Sequence, residues 1–362
     1  MAQKFVVILA GGKGERFWPL SRLRRPKQLL PIVGNRSMLA QTVARVLPLV
    51  PAENVYILTN VEQAAEVRKA CPELPKGNII AEPVGRDSGP AVGLAAEIVA
   101  ARDPKGIFAS LHSDAAIHDE KAFQKDLRVA FSAAAAAPVM VTIGVKPHEP
   151  STGYGYIQRG KSWRKVRGVT VSKARRFVEK PAADVAERYL EAGDYYWNTG
   201  IFIWSARVVQ DAFKRNAPEL HAGLARLGAA LRAGQNLPRT LRAIYPSLPK
   251  IAVDYALLEK ADNVVMLPAS FDWDDVGSWT AIARHHAHDA KQNTIVGDGL
   301  VEEGSGNIVF SEAGHVTAVF GADDLVVVHT SDATLVCPRS KAQEIKSLLN
   351  RLKSDVRGQR LL

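Results

Sequence analysis

Five short apolar runs with helical stretches between them constrain this chain more than any other feature of its sequence. The runs span residues 5–10, 55–60, 78–81, 107–111 and 139–145 and are rich in Val and Ile. A strand with one face in water alternates apolar and polar residues, whereas a strand covered on both faces reads as a continuous apolar run. Between the runs, residues 38–47, 61–70, 90–101 and 121–136 carry helical patterns, the last running into an alanine stretch stopped by Pro138. Strands alternating with helices of this length predict right-handed crossovers and a doubly wound, mostly parallel α/β sheet.

The rhythm changes after residue 150. Residues 152–159 and 169–178 read as strands of an antiparallel insertion, 183–191 as a short helix and 199–205 as a return to a buried strand. Helices follow at 206–214 and 219–232. From about residue 293 short strand-like segments recur with glycines between them, and residues 341–352 read as an amphipathic helix. The 362 residues therefore predict a body over 1–288 and a small C-terminal β module with a terminal helix over 289–362. No Pro/Gly/Ser-rich linker separates the two, so the module is expected to pack on the body.

Composition narrows the function classes. Hydrophobic residues make up 47% of the chain, enough for a sizeable core. No run approaches the roughly 20 apolar residues of a membrane span, and the apolar run near the N-terminus is too short for a signal-peptide core. A cytoplasmic chain with no membrane partner is expected. Cys71 and Cys337 show no metal-ligand spacing and are read as free reduced thiols. The net charge of +10 suits either nucleic acid or an anionic small substrate. The Lys and Arg residues form no basic tail and no aromatics interleave with them, which favours phosphate-bearing small molecules over nucleic acid.

The end of the first strand supports that choice. In an open α/β sheet, ligands bind beyond the carboxyl ends of the strands, and there the chain reads Ala10-Gly11-Gly12-Lys13-Gly14-Glu15-Arg16. Glycines let the backbone approach a phosphate and aim N–H groups at it. Arg16 and Lys27 add charge. The stretch is not a P-loop, which needs G-x-x-x-x-G-K-[ST], and not a dinucleotide fingerprint, because Phe17 stands where a third glycine is required. The string from Gly11 to Gly34, GGKGERFWPLSRLRRPKQLLPIVG, resembles the sugar nucleotidyltransferases. Its Phe17-Trp18-Pro19-Leu20-Ser21-Arg22 and Pro26-Lys27-Gln28 pieces resemble their mannose-1-phosphate guanylyltransferase branch. The resemblance implies the Rossmann-like nucleotidyltransferase fold, with Ala10, Gly11, Gly12 and Gly14 wrapped around a nucleoside triphosphate and Arg16 and Lys27 on its phosphates.

The resemblance continues along the chain. Glu82-Pro83-Val84-Gly85-Arg86-Asp87-Ser88-Gly89-Pro90-Ala91 is similar to the family's E-P-x-x-R-N-T-A-P-A segment, which lies near the base and ribose. It departs at Asp87, Ser88 and Gly89. Asp87 can accept hydrogen bonds from the guanine N1–H and amine or cap the next helix, and Ser88 also suits a cap. Asp114, in Leu111-His112-Ser113-Asp114, matches an aspartate that binds a divalent metal, and Ala115 stands where the family has histidine. Asp272, Asp274 and Asp275 crowd together, which is costly without a cation. The string Asp275-Val276-Gly277-Ser278-Trp279 implies that Asp275 is the second metal ligand, while Asp272 and Asp274 are read as surface or capping residues. On the sugar side the resemblance implies roles for Tyr154, Gly155, Glu179, Lys180, Asn198 and Asp254. His285, His286 and His288 are read as a solvent-facing cluster, because a hard cation prefers oxygen.

Together these matches imply transfer of GMP from GTP to mannose 1-phosphate, giving GDP-mannose and pyrophosphate, with Mg²⁺ or another divalent cation as cofactor and a homodimer as the assembly. A phosphate monoester is largely ionised near neutral pH, so no catalytic Ser, Cys or His is required. Arg16, Lys27 and Lys180 are the expected catalytic cations. Two readings compete: guanylyl transfer to another sugar 1-phosphate, and a non-catalytic GDP-sugar-binding subunit that regulates a partner. The departures at Asp87 and Ala115 favour the second, and the retention of Lys27, Asp114 and Asp275 opposes it.

Overall fold

The apolar runs become the centre of a nine-stranded sheet. In the computed structural model, which describes residues 2–355 and 358–362, strands β1 (Lys4–Ala10), β2 (Val55–Asn60), β3 (Ile79–Glu82), β4 (Ile107–His112) and β5 (Met140–Val145) match the five expected runs to within one residue at either end. They join β6 (Tyr156–Val166), β7 (Val169–Val178), β8 (Tyr195–Ser205) and β9 (Val264–Pro268) in the order β3-β2-β1-β4-β8-β5-β9-β7-β6. The β1–β4 half is parallel, β8 runs antiparallel between β4 and β5, and β6 and β7 form a hairpin at the far edge.

Helices cover both faces, as continuous apolar runs require. One face is packed by Ser88–Arg102, Ala206–Asn216 and Pro218–Arg232, the other by Met38–Val46, Ala64–Ala70 and Glu120–Ala136. Ser37, Asp119 and Ser205 cap helix starts by accepting a backbone N–H three residues on. Ser88–Arg102 and Pro218–Arg232 pack so closely that a Cβ on Gly93 would stand 2.2 Å from the Leu224 side chain.

Several segments differ from the sequence reading. The strand expected at 152–159 begins only at Tyr156, because residues 153–155 leave the sheet to line a cleft. Strand β8 starts four residues before the expected 199, carrying Tyr195, Tyr196 and Trp197 into the core. Strand β9 and a helix at Leu237–Ile244 had no counterpart. The terminal helix divides into a 3₁₀ segment, Arg339–Glu344, and an α-helix, Ile345–Lys353.

The C-terminal module is a stack of short strands: β10 (Thr294–Val296), β11 (Gly299–Glu302), β12 (Ile308–Ser311), β13 (Thr317–Phe320), β14 (Leu325–His329) and β15 (Thr334–Pro338). β10, β12 and β14 pair in parallel, as do β11 and β13, and β15 closes the larger sheet antiparallel. Parallel pairing between strands of successive turns makes a coil that advances one rung per turn. The module shares an apolar core with the body, where Phe17, Trp18 and Trp279 pack with Val326, Ile345 and Leu349. Cys71 and Cys337 are free thiols, and burial pushes the Cys71 thiol up to about 12. No helix among the described residues is long and apolar enough to cross a membrane.

Candidate active site

Beyond the carboxyl ends of β1 and β4 lies a cleft of about 620 Å³, with a smaller cavity of about 260 Å³ beside it. The Gly-rich loop lines both, Gly14 the cleft and Gly11 and Gly12 the smaller cavity. Gly14 has a left-handed backbone (φ +61), and a Cβ there would stand 2.4 Å from Lys27 Cβ. The loop and Lys27 lie together only because residue 14 has no side chain. A Cβ on Gly12 would meet nothing within 4 Å, so this backbone faces open space that a phosphate can enter. Gln28, itself buried, holds the loop from below: its Nε2 donates to the carbonyls of Ala10 and Gly12 at 2.9 and 3.0 Å. Asn60 Nδ2 donates to the Gly11 carbonyl at 2.8 Å. Ala10 lines neither cavity, and its carbonyl is taken by Gln28 and the Thr59 hydroxyl. Arg16 is exposed at the cleft.

Lys27 is the pivot. Its side chain is 6% exposed, and Nζ donates to Asp114 Oδ2 at 3.1 Å and to the Asp275 carbonyl at 2.5 Å. Asp114 follows β4, Asp275 follows β9, and a bridge between Ala116 and Asp274 ties the two segments together. Burial works against ionisation of Asp114, but the Lys27 ammonium, helped by His112, outweighs it and holds the carboxyl below the usual range. Burial pushes Asp275 above that range, moderated by a 2.6 Å hydrogen bond from Tyr154 Oη and by Lys27. Carboxylate oxygens gathered at one cleft suit a hard divalent cation. Among the described residues no three His, Cys, Asp or Glu side chains converge as a metal cage. Two carboxylates would be enough for a cation such as Mg²⁺, which takes one or two and leaves its other positions to water and phosphate oxygens.

The remaining carboxylates of the acidic string are structural. Asp272 accepts from the N–H groups of His118 and Asp119 before helix Glu120–Ala136, the capping role expected of it. Asp274 is not a surface residue. Arg284 holds it at 2.5 and 2.8 Å and His285 Nε2 lies 3.1 Å away. Burial opposes its ionisation, but hydrogen bonds from His285, Arg284 and the Val276 N–H prevail and keep the carboxyl well below the usual range. Val276, fully buried, has φ +46, a conformation β-branched residues rarely adopt, and it adjoins Asp275. The histidines are not a solvent-facing cluster either. Asp274 draws in His285, whose side chain is 6% exposed, and His286 lies 2.9 Å from the Ile32 carbonyl, leaving only His288 exposed.

The antiparallel half supplies the other wall of the cleft. A Cβ on Gly155 would stand 2.4 Å from Glu179 Oε2, so this turn presses on that carboxylate. Lys180 Nζ donates to Glu179 Oε1 at 2.6 Å, and Asn198 Nδ2 donates to Asp254 Oδ1 at 3.3 Å. Burial, reinforced by Glu179, pushes the Asp254 carboxyl up to about 7. Burial disfavours the Lys180 charge, but Glu179 and Asp254 prevail and raise it. Tyr154 lines the cleft, yet its hydroxyl serves Asp275.

The smaller cavity gathers Gly11, Gly12, Glu82 and Arg86. Glu82 is 6% exposed and accepts from the Tyr245 hydroxyl, and burial pushes it up to about 7. Arg86 donates to the Pro246 carbonyl. Asp87, not Ser88, caps the next helix: its carboxylate accepts from the Ser88 N–H, while Ser88 Oγ accepts from the Val253 N–H at 2.9 Å. Both residues still line the cleft and the smaller cavity.

Of the lining residues to which the sequence assigns no role, two stand out. His112, at the end of β4, lies where the two cavities meet, its ring 2.4 Å from where a Gly200 Cβ would be. Lys346 reaches the cleft from the C-terminal helix. Gln28 carried a usable signal, a buried amide inside an apolar string. Lys346 carried none, because amphipathic helices bear lysines anyway.

A phosphate-seeking glycine loop beside two metal-suited carboxylates on a doubly wound sheet defines a nucleotidyl transferase. Residues 5–292 match the profile of the nucleotidyl transferase family, to which the chain belongs, and residues 301–352 match a MannoseP isomerase/GMP-like beta-helix domain. Within the family it is similar to the mannose-1-phosphate guanylyltransferase of Escherichia coli, 36% identical over 99% of this chain and 75% of the relative. It is also similar to the mannose-1-phosphate guanylyltransferase ManC of Salmonella typhimurium, 35% identical over 98% and 74%. Among solved structures it is similar to a Thermus thermophilus protein described as a mannose-1-phosphate geranyltransferase, with 32% identity, a TM-score of 0.85 and coverage of 97% of this chain and 100% of the other.

Proposed function

We propose that this chain transfers GMP from GTP to α-D-mannose 1-phosphate, forming GDP-mannose and releasing pyrophosphate. The observation that carries the reading is the meeting of Lys27, Asp114 and Asp275 in one cleft, between a glycine loop and a wall of carboxylates. Similarity to guanylyltransferases over nearly the whole chain supports guanine as the base and mannose as the sugar. A cleft lined by Arg16, Lys27, Asp114, Lys180 and Asp275 suits phosphates, not a prenyl chain.

In this mechanism a phosphate oxygen of the sugar phosphate attacks the α-phosphorus of GTP in line, the bond to the bridging oxygen breaks, and pyrophosphate leaves. The nucleophile is already ionised, so the residues align and neutralise rather than abstract a proton. Gly11, Gly12, Gly14, Arg16 and Lys27 receive the triphosphate. The base enters the smaller cavity beside Glu82 and Arg86, with Asp87, Ser88 and His112 at the ribose. Lys180 receives the sugar phosphate, and Glu179, Asn198 and Asp254 take the sugar hydroxyls. Mg²⁺ or another divalent cation, held by Asp114 and Asp275, supplies positive charge to the phosphate oxygens. The division into a substrate-carrying body (1–288) and a bracing module (289–362), a cytoplasmic location, and a homodimer through the exposed Leu300, Val316 and Phe320 of the module belong to the same reading.

The test is pyrophosphate release from GTP, mannose 1-phosphate and Mg²⁺, with and without EDTA. EDTA-sensitive release with equimolar GDP-mannose is expected. Equal turnover of glucose 1-phosphate would replace the sugar. No release, with tight GDP-mannose binding, would leave the regulatory subunit in its place.

A further inference from the structure

Ala115, the position where the chain departs from its family beside a metal aspartate, backs onto a second void. This cavity measures about 10 Å³, room for one small occupant and no more. His112, Ala115, Thr199 and Trp273 divide it from the cleft, lining both. Two buried donors in its wall have no acceptor in the protein: Arg45 Nε and Trp273 Nε1. Arg45 is 2% exposed, and its one hydrogen bond runs from a terminal nitrogen to the Ile117 carbonyl at 3.3 Å. Thr42 and Thr199, also in the wall, already donate to the carbonyls of Met38 and Ile143. Among the buried side-chain donors of the wall, those of Arg45 and Trp273 are therefore open to an occupant.

One of those donors carries a full charge that burial disfavours. Glu120 and Asp272 act on it from a distance, and among the described residues no carboxylate forms an ion pair with Arg45. A buried guanidinium in this state calls for a compensating anion. We propose that the cavity binds a small monovalent anion of the halide class, held by the Arg45 Nε–H and the Trp273 indole N–H. A water would accept from both donors and leave the charge uncompensated, whereas a halide does both. Ala115 lines the void with a single methyl group, and a larger side chain there would crowd it. The ion joins two segments from behind: Arg45 already holds the turn after Asp114 through Ile117, and Trp273 lies two residues before Asp275. The site stands independently of the substrates assigned above.

The test is thermal unfolding of the full chain at constant ionic strength, with chloride or bromide replacing gluconate, together with anomalous scattering from crystals grown in bromide. A saturable rise of a few degrees in Tm with either halide is expected, with a bromide peak between Arg45 and Trp273. Ala115→His, which fills the void, and Arg45→Met, which removes the charge, should each abolish the halide response. A Tm indifferent to halide, a water with no bromide at that place, or a response that survives in Ala115→His would each overturn the proposal. Ala115→His keeps the test decisive if Arg45→Met does not fold.

Discussion

The two walls of the cleft are built by different means. On the wall proposed for the nucleotide the surface is largely backbone, shaped by Gly12 and Gly14 and fixed from below by Gln28 and Asn60, with Lys27 packed into the loop. On the wall proposed for the sugar it is side chains: Glu179, Lys180, Asn198 and Asp254 crowd one another. A phosphate wants several N–H groups and a cation at fixed positions, which a tight loop supplies. Sugar hydroxyls want individual acceptors and donors, which a set of separate side chains supplies. Damage to the first wall should therefore cost turnover, and damage to the second should cost affinity for one substrate.

The strongest test of that contrast is Lys27→Ala, which removes the charge shared by loop and carboxylates. Turnover should fall on the order of 10³-fold with Tm lowered by only a few degrees, read by pyrophosphate release and calorimetry. A loss under about tenfold would sink its assignment. Gly14→Ala forces a Cβ onto Lys27 in a left-handed turn and should lower kcat/KM for GTP by about 10²-fold, with KM for mannose 1-phosphate unchanged. Equal effects on both substrates would erase the distinction between the walls. Asp254→Asn should do the reverse, raising KM for the sugar phosphate about tenfold and leaving KM for GTP as it was.

The last test concerns pH and reads stability instead of turnover. Glu82, raised from 4.5 to about 7 by burial, keeps its proton in the folded chain where the unfolded chain has lost it. The stability this contributes is fully present below about pH 4.5 and is lost as pH rises through about 7. Glu82→Gln should therefore flatten the fall in stability between about pH 5 and 8, by at most on the order of 3 kcal/mol. Parallel Tm profiles for parent and variant would mean that Glu82 is ionised in the fold at neutrality.

The sequence was most legible where burial is uniform. Strands β1 to β5 are covered on both faces, so each announces itself as an apolar run, and the helices between them follow. Strand β9 is as apolar, but no strand–helix unit frames it as one does the still shorter β3. The parallel coil of the module escaped because strands of three to five residues show no period of their own. In the site, the glycine loop, Lys27, Asp114 and Asp275 could be placed because their motifs are contiguous strings. His112 shares the string of Asp114, but only its packing against Gly200 shows where its ring lies, and Lys346 owes its place to packing between elements far apart in the chain. The ion-pair partners of Asp274 are hidden from the sequence for the same reason: Arg284 and His285, which hold it, lie on the far side of a turn.

The shared core of Phe17, Trp18, Ile345 and Leu349 has a consequence for how the chain is made. Trp18 Nε1 donates to the Leu361 carbonyl, 343 residues further on. At a synthesis rate of about 5–20 residues per second, the loop waits roughly 17–70 s for the residues near 361 that cover it. During that interval its tryptophan and phenylalanine are open to other chains, so the growing chain carries an aggregation-prone surface at the loop that lines the cleft.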